Sequence, residues 1–213
     1  MASVGIKVVR STSNLCDMTN SYKNNSTPRG YCLIINNEKF KDPEKFPTRE
    51  GSQKDVETLR QLFTDLGYTM WDTVEEAKTS NLTAEEIKDV VKKFAASDKQ
   101  NSVDSSIVAI LSHGGAEDVI FGADDEKLSF SDDILRLFEG ENAPGLMQKP
   151  KLFILQACRG GMTYIGMHAE SLAHVHAILP ISVRIKGLNG GMWLEAMISR
   201  KRLRESRLKT QQN

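Results

Sequence analysis

Two apolar runs in the sequence end in side chains that can do chemistry. Residues 106–111 (SIVAIL) run into Ser112, His113, Gly114 and Gly115, and residues 151–155 (KLFIL) run into Gln156, Ala157, Cys158, Arg159 and Gly160. A thiol and an imidazole at one edge of a sheet form a nucleophile–base pair, although here they are 45 residues apart in the chain. The glycines after His113 leave room for a substrate backbone, and their N–H groups can serve an oxyanion. Each residue also has a plain reading. A buried Cys is commonly an inert small hydrophobe, and a His at a strand end is commonly a hydrogen-bonded loop residue.

The elements that would position these residues follow from patterning. YCLII at 31–35, closed by Asn36-Asn37, reads as a buried strand and a turn. Val56, Leu59, Leu62, Phe63 and Leu66 fall on helical spacing between Gly51 and the stop at Gly67. Residues 68–74 form a weaker strand candidate. Thr83-Ala84-Glu85-Glu86 is a capping box, and Ile87, Val90, Val91 and Phe94 mark the helix face behind it. SIVAIL and KLFILQ are continuous apolar runs, the pattern of strands covered on both faces. Ser131 to Phe138 reads as a short capped helix. Strands alternating with helices predict an α/β fold, a mostly parallel sheet flanked by helices on both faces. In such a sheet ligands bind at the carboxyl ends of the strands, where both reactive segments lie.

Composition narrows the partners. With 213 residues and 39% hydrophobic content, the chain can bury one sizeable core in one domain or slightly more. Lys+Arg and Asp+Glu are both 28, so no bulk electrostatic partner is implied. The average hides a split, because nine basic residues face three acidic ones after Cys158. Cys16, Cys32 and Cys158 are too few and scattered for a disulfide framework, which suits a reducing compartment. No segment reaches signal-peptide character or the roughly 18 apolar residues of a membrane span. The expectation is a soluble, cytoplasmic protein that binds neither membrane nor nucleic acid. Residues 11–29 are rich in Ser, Asn and Thr and read as a disordered leader. The basic stretch 199–209 reads as a solvated helix end rather than a nuclear-localisation or nucleic-acid patch. His168, His174 and His176 have no acidic or Cys partner at ligand spacing, so no metal and no cofactor are expected.

QACRG at 156–160 together with SHG at 112–114 resembles the caspase family. PRGYCLIINN at 28–37, R-x-G-S-x-x-D from Arg49 to Asp55, LGY at 66–68, Gly122-x-Asp124, NAP at 142–144 and KPK at 149–151 extend the likeness over residues 28–161. The resemblance implies a large-subunit catalytic domain in which Cys158 is the nucleophile and His113 the general base and acid. It further implies that the Pro47 carbonyl orients His113, and that the N–H groups of Gly114 and Cys158 bind the oxyanion. Arg49 and Gln156 match walls of a basic pocket that selects Asp, where an Arg fork recognises a planar carboxylate. The plain alternative for Arg49 is a surface ion pair with Asp55 or Glu57.

The likeness weakens after Cys158, which only 55 residues follow. Ala177-Ile178-Leu179-Pro180 and Gly191-Met192-Trp193-Leu194 are similar to the opening of a caspase small subunit. In that alignment Lys186 stands where a pocket Arg belongs, and Lys has no planar fork. The last Asp is Asp133, so the tail holds no Asp at which an Asp-specific protease could separate subunits. The expected division is a leader at 1–29, a large-subunit-like domain at 30–161 and a truncated or divergent small-subunit-like tail at 162–213. The resemblance implies a cysteine endopeptidase cleaving protein or peptide substrates after Asp, in apoptotic or inflammatory proteolysis. The alternative is a catalytically weak or inactive relative that pairs with a full-length caspase and modulates it. A tail this short is expected to leave the sheet edge beside Cys158 unpaired.

Overall fold

The apolar runs become the strands of one sheet, and their register decides where the reactive residues fall. The computed structural model of the protein describes residues 23–116, 118–158, 184–188 and 192–195. β1 (Gly30–Asn36) is followed by α1 (Ser52–Asp65), β2 (Tyr68–Met70), α2 (Trp71–Glu75) and α3 (Ala84–Ala96). Then come β3 (Ser105–His113), the short strands β4 (Val119–Phe121) and β5 (Lys127–Ser129), and β6 (Lys151–Cys158). The sheet order is β2-β1-β3-β6 and every pairing in it is parallel. β7 (Arg184–Leu188) and β8 (Met192–Glu195) pair antiparallel with each other as a separate ladder.

Each long strand is apolar on both sides because each face is covered. On one face Cys32, Ile34, Ile107, Ala109, Leu111, Leu152 and Ile154 pack against Val56, Leu59, Leu62 and Phe63 of α1. On the other, Leu33, Ile35, Val108, Ile110 and Phe153 pack against Ile87, Val91 and Phe94 of α3. Phe94 and Ile87 are fully buried, each worth about 1.5–3 kcal/mol of transfer free energy. α3 begins with the expected capping box: Glu86 N–H donates to Thr83 Oγ1, and Thr83 N–H donates to Glu86 Oε2 at 2.8 Å. Gly122 backs onto that same turn, where a Cβ would come within 2.2 Å of the Ala84 nitrogen, and Asp124 Oδ1 accepts the Ala84 N–H.

Two local expectations are corrected. Residues 68–74 are strand only as far as Met70, and Trp71 opens a helical turn. The Trp71 ring meets Tyr31 and Phe94 edge-on, and this tertiary contact overrides the strand propensity of the segment. The helix expected at 131–138 is a wide π turn at Phe130–Ile134 followed by a 3-10 turn at Leu135–Phe138. Its cap is Ser129, whose Oγ accepts the Asp132 N–H. Asp118 takes the Ser131 N–H at 2.7 Å, which draws the first turn away from regular α pitch.

The expected leader overlaps the described residues only at 23–29, and there it is fastened to the sheet. Asp104 accepts the N–H groups of Asn25 and Ser26 at 2.8 Å each and faces Lys23 at 3.3 Å. Desolvation pushes the Asp104 carboxyl up, but these hydrogen bonds outweigh it and hold the group below its ordinary value of 3.8. A carboxyl depressed in the folded state adds stability that is present above its unfolded pKa and is lost as pH falls through the folded one. Asp104→Asn is therefore expected to cost about 1–2 kcal/mol at neutral pH, with the deficit shrinking below pH 3.8. Urea titrations of both proteins at neutral and acid pH check this, and a deficit that stays constant contradicts it.

Candidate active site

His113 is the last residue of β3, and its backbone stands opposite Cys158, the last residue of β6, in the parallel register. Adjacent strands lie about 4.8 Å apart, so the ladder brings the two residues to neighbouring positions at the carboxyl edge. The His113 ring is held from the other side. Its Nε2 lies 2.7 Å from the Pro47 carbonyl oxygen. A carbonyl only accepts, so Nε2 is the donor, and in the neutral ring the lone pair then falls on Nδ1. Phe40 and Phe46 flank the ring with centroids at 4.7 and 5.4 Å, and Phe46 rests in turn on Phe121 at 4.4 Å. The aromatic wall leaves the imidazole little room to rotate.

Arg49 hangs below the end of β1. Its Nη1 donates to Asn36 Oδ1 at 3.1 Å and to the Asn37 carbonyl at 2.8 Å, and its Nη2 donates to Gln156 Oε1. Asn36 and Asn37 are both buried. The other end of the Asn36 amide donates to Ser52 Oγ at 3.1 Å, which fixes which end faces Arg49. Gly51, at φ 83°, takes the left-handed turn that carries the chain from Arg49 into α1, and Ser52 N–H returns to the Arg49 carbonyl. Asn36 Oδ1, the Asn37 carbonyl and Gln156 Oε1 together set the orientation of the guanidinium.

The remaining expected residues fall as follows. The backbone of Cys158 closes β6, while its side chain lies outside the described residues. Gly114 forms an isolated antiparallel bridge with Ile120. Of the two glycine N–H groups expected to face an oxyanion, that of Gly115 is instead donated to the Val119 carbonyl at 2.8 Å. That correction leaves Gly114 as the oxyanion candidate on this strand. Lys186 falls in β7, its side chain outside the described residues, as are Arg159, the basic stretch 199–209 and the three tail histidines.

Several contributors carried no local signal in the sequence. Ser112 Oγ donates to the Phe121 carbonyl at 2.6 Å and so ties β3 to β4 beneath His113. Asn37 spans the same region, exchanging hydrogen bonds with the Leu82 backbone on both sides of its amide and donating to the Phe121 carbonyl. An Asn-Asn pair after a strand signals a turn; that both amides are structural struts is visible only in the fold.

The caspase domain family model matches residues 29–210. The chain is 42% identical over 144 residues to Cell death protein 3 of Caenorhabditis remanei, covering 68% of this chain and 26% of that protein. It is 38% identical over 147 residues to Caspase-2 of Gallus gallus, covering 69% and 33%, and 35% identical over 158 residues to Caspase-3 of Felis catus, covering 72% and 52%. The chain thus spans about a quarter to a half of the length of these relatives. With a parallel sheet whose carboxyl edge gathers His113, Cys158, Arg49 and Gln156, and with the family match covering most of its length, this chain belongs to the caspase family.

Proposed function

We propose that the chain is a caspase-like cysteine endopeptidase of cell-death or inflammatory proteolysis, cleaving protein chains after Asp. The observation that carries this reading is the in-register end of the ladder, His113 opposite Cys158, with the His113 ring already fixed by Pro47. In the reaction, the Cys158 thiol gives its proton to His113 Nδ1 and the thiolate attacks the carbonyl carbon after Asp. The C–S bond forms and the carbonyl electrons move onto oxygen, held by the N–H groups of Gly114 and Cys158. Collapse breaks the C–N bond while His113 passes its proton to the leaving amine. Water, deprotonated by His113, then hydrolyses the thioester to a carboxylic acid and restores the thiol.

Asp selection rests on Arg49, with Gln156 beside it as the second wall; Lys186 is assigned to the same pocket on the strength of the sequence alignment alone. A substrate carboxylate matches the planar fork of the guanidinium in charge and shape, and a neutral side chain does not. Residues 30–161 act in this reading as the large-subunit-like unit and 162–213 as a divergent small-subunit-like tail, which the family match through residue 210 supports. No helix among the described residues is long and apolar enough to cross a membrane; the cytoplasmic site of action in this reading rests on the family resemblance.

One observation favours a second reading, a weak protease that works by pairing with a full-length caspase. Among the described strands β6 is hydrogen-bonded on one side only, by β3. An apolar strand with an open edge either aggregates or accepts another strand. Adding a separately produced caspase small subunit is then expected to shift the chain to a larger species on gel filtration and to raise its peptidase rate. A stable, fully active monomer would rule this second reading out.

Two further outcomes test the main reading. Burial pushes the Cys32 thiol far above the ordinary range, with the Arg60 charge only partly opposing it. Iodoacetamide under native conditions should therefore modify Cys158 well before Cys32; equal labelling in peptide maps contradicts the assignment. On fluorogenic peptides, cleavage should be faster after Asp than after Asn and absent in Cys158→Ala. Arg49→Ala should lose the Asp preference and most of the rate, on the order of a hundredfold. An Arg49→Ala protein that still prefers Asp would refute the pocket.

A further inference from the structure

The loop that delivers Pro47 and the two aromatic rings to His113 has a polar, charged sequence, NEKFKDPEKF at 37–46, with little apolar content to anchor it. It is nevertheless fastened at two points by side chains from distant parts of the chain. Asn81 Oδ1 accepts the N–H groups of Glu38 and Lys39 at 2.9 Å each. Asp125 accepts the Lys41 N–H on Oδ1 at 3.2 Å and the Asp42 N–H on Oδ2 at 2.9 Å. Both acceptors sit at positive φ, 50° for Asn81 and 69° for Asp125, a region that costs a side-chain-bearing residue energy.

The fastening continues inward. Asp42 Oδ1 accepts from Glu44 and Lys45, and the Asp42 carbonyl accepts the Phe46 N–H at 2.8 Å. Phe46 packs on the His113 ring, and Pro47, the next residue, offers its carbonyl to His113 Nε2. Farther along, Arg49 N–H returns to the Glu38 carbonyl at 2.9 Å, which closes the loop at its base. An unbroken series of hydrogen bonds and packing contacts therefore leads from Asp125 to the proton-bearing nitrogen of the imidazole.

We propose that Asn81 and Asp125 are positioning residues for His113, a pair of staples that hold the 37–47 loop so that Nε2–H, and hence a basic Nδ1, is enforced. The proposal rests on reading His113 as the general base, but its first readout does not require activity. Glycine is the informative replacement. It removes the acceptor and accepts the positive φ without strain, so Asn81→Gly and Asp125→Gly separate lost staples from a distorted backbone. Asn81→Asp keeps an oxygen at the same place and the same tolerance of left-handed backbone, and is expected to behave as wild type.

The experiment uses the full chain with 15N-labelled His and reads the ring-nitrogen tautomer of His113, alongside the rate of Cys158 alkylation by iodoacetamide. Wild type and Asn81→Asp should show a single Nε2–H tautomer. Asn81→Gly and Asp125→Gly should show mixed tautomers, and their Cys158 alkylation should slow on the order of tenfold, a small geometric error at the base being enough. A single Nε2–H tautomer that persists in both glycine variants overturns the proposal, as does its absence from wild type. If wild-type Cys158 is sluggish but the tautomer is lost in the glycine variants, the staples stand and it is the assignment of His113 as base that fails.

Discussion

Parallel strands of one sheet share a direction, so residues at matched register positions reach the same edge together, and this site depends on that constraint. β3 and β6 pair from Ser106↔Lys151 to His113↔Cys158 without a bulge or slip. A slip of one residue on β6 would send the whole strand to the opposite face and part His113 from its partner. The register is held because both faces of each strand are buried: Ile107, Leu152 and Ile154 lie on the α1 side, Val108, Ile110 and Phe153 on the α3 side. Hydrophobic burial thereby sets the backbone register of two strand-end residues 45 positions apart.

Polar side chains do the work beyond the strand ends, where apolar packing runs out. Buried amides are well suited to it, since each has a fixed donor end and acceptor end and carries no charge to desolvate. Asn36 turns its oxygen to Arg49 and its nitrogen to Ser52; Asn37 ties β1 to the Leu82 and Phe121 backbones. The Arg49 guanidinium is thereby oriented from the ends of β1 and β6. Arg49 and His113 then depend on the same loop, since the loop's first residues are stapled by Asn81 and its last return to Glu38.

The strands, the two long helices and the α3 capping box were legible because their signals are local: continuous apolar runs, helical spacing, a Thr and a Glu three residues apart. What escaped is non-local. The β4–β5 hairpin is only three residues on each strand, too short for an alternating pattern to register. The turn at Phe130–Ile134 also gives its Ser131 N–H to Asp118, 13 positions earlier, which a local capping rule could not include. At the site, the His–Cys pair could be read from two strand ends, whereas the anchors of the Pro47 loop lie 43 and 84 positions from the residues they hold. The use of the Gly115 N–H by Val119 likewise depends on β4 folding back beneath β3.

The central claim is that the β3–β6 ladder makes His113 and Cys158 one chemical unit. Its most direct test is the pH dependence of Cys158 alkylation in the wild-type chain and in His113→Ala, followed by peptide mapping. A coupled pair predicts Cys158 alkylation at pH values well below the ordinary Cys range of about 8.5, because His113 Nδ1 takes the thiol proton as the new S–C bond forms, with that acid-side reactivity lost in His113→Ala. Superimposable profiles for the two proteins, both titrating as an ordinary thiol, would contradict the account.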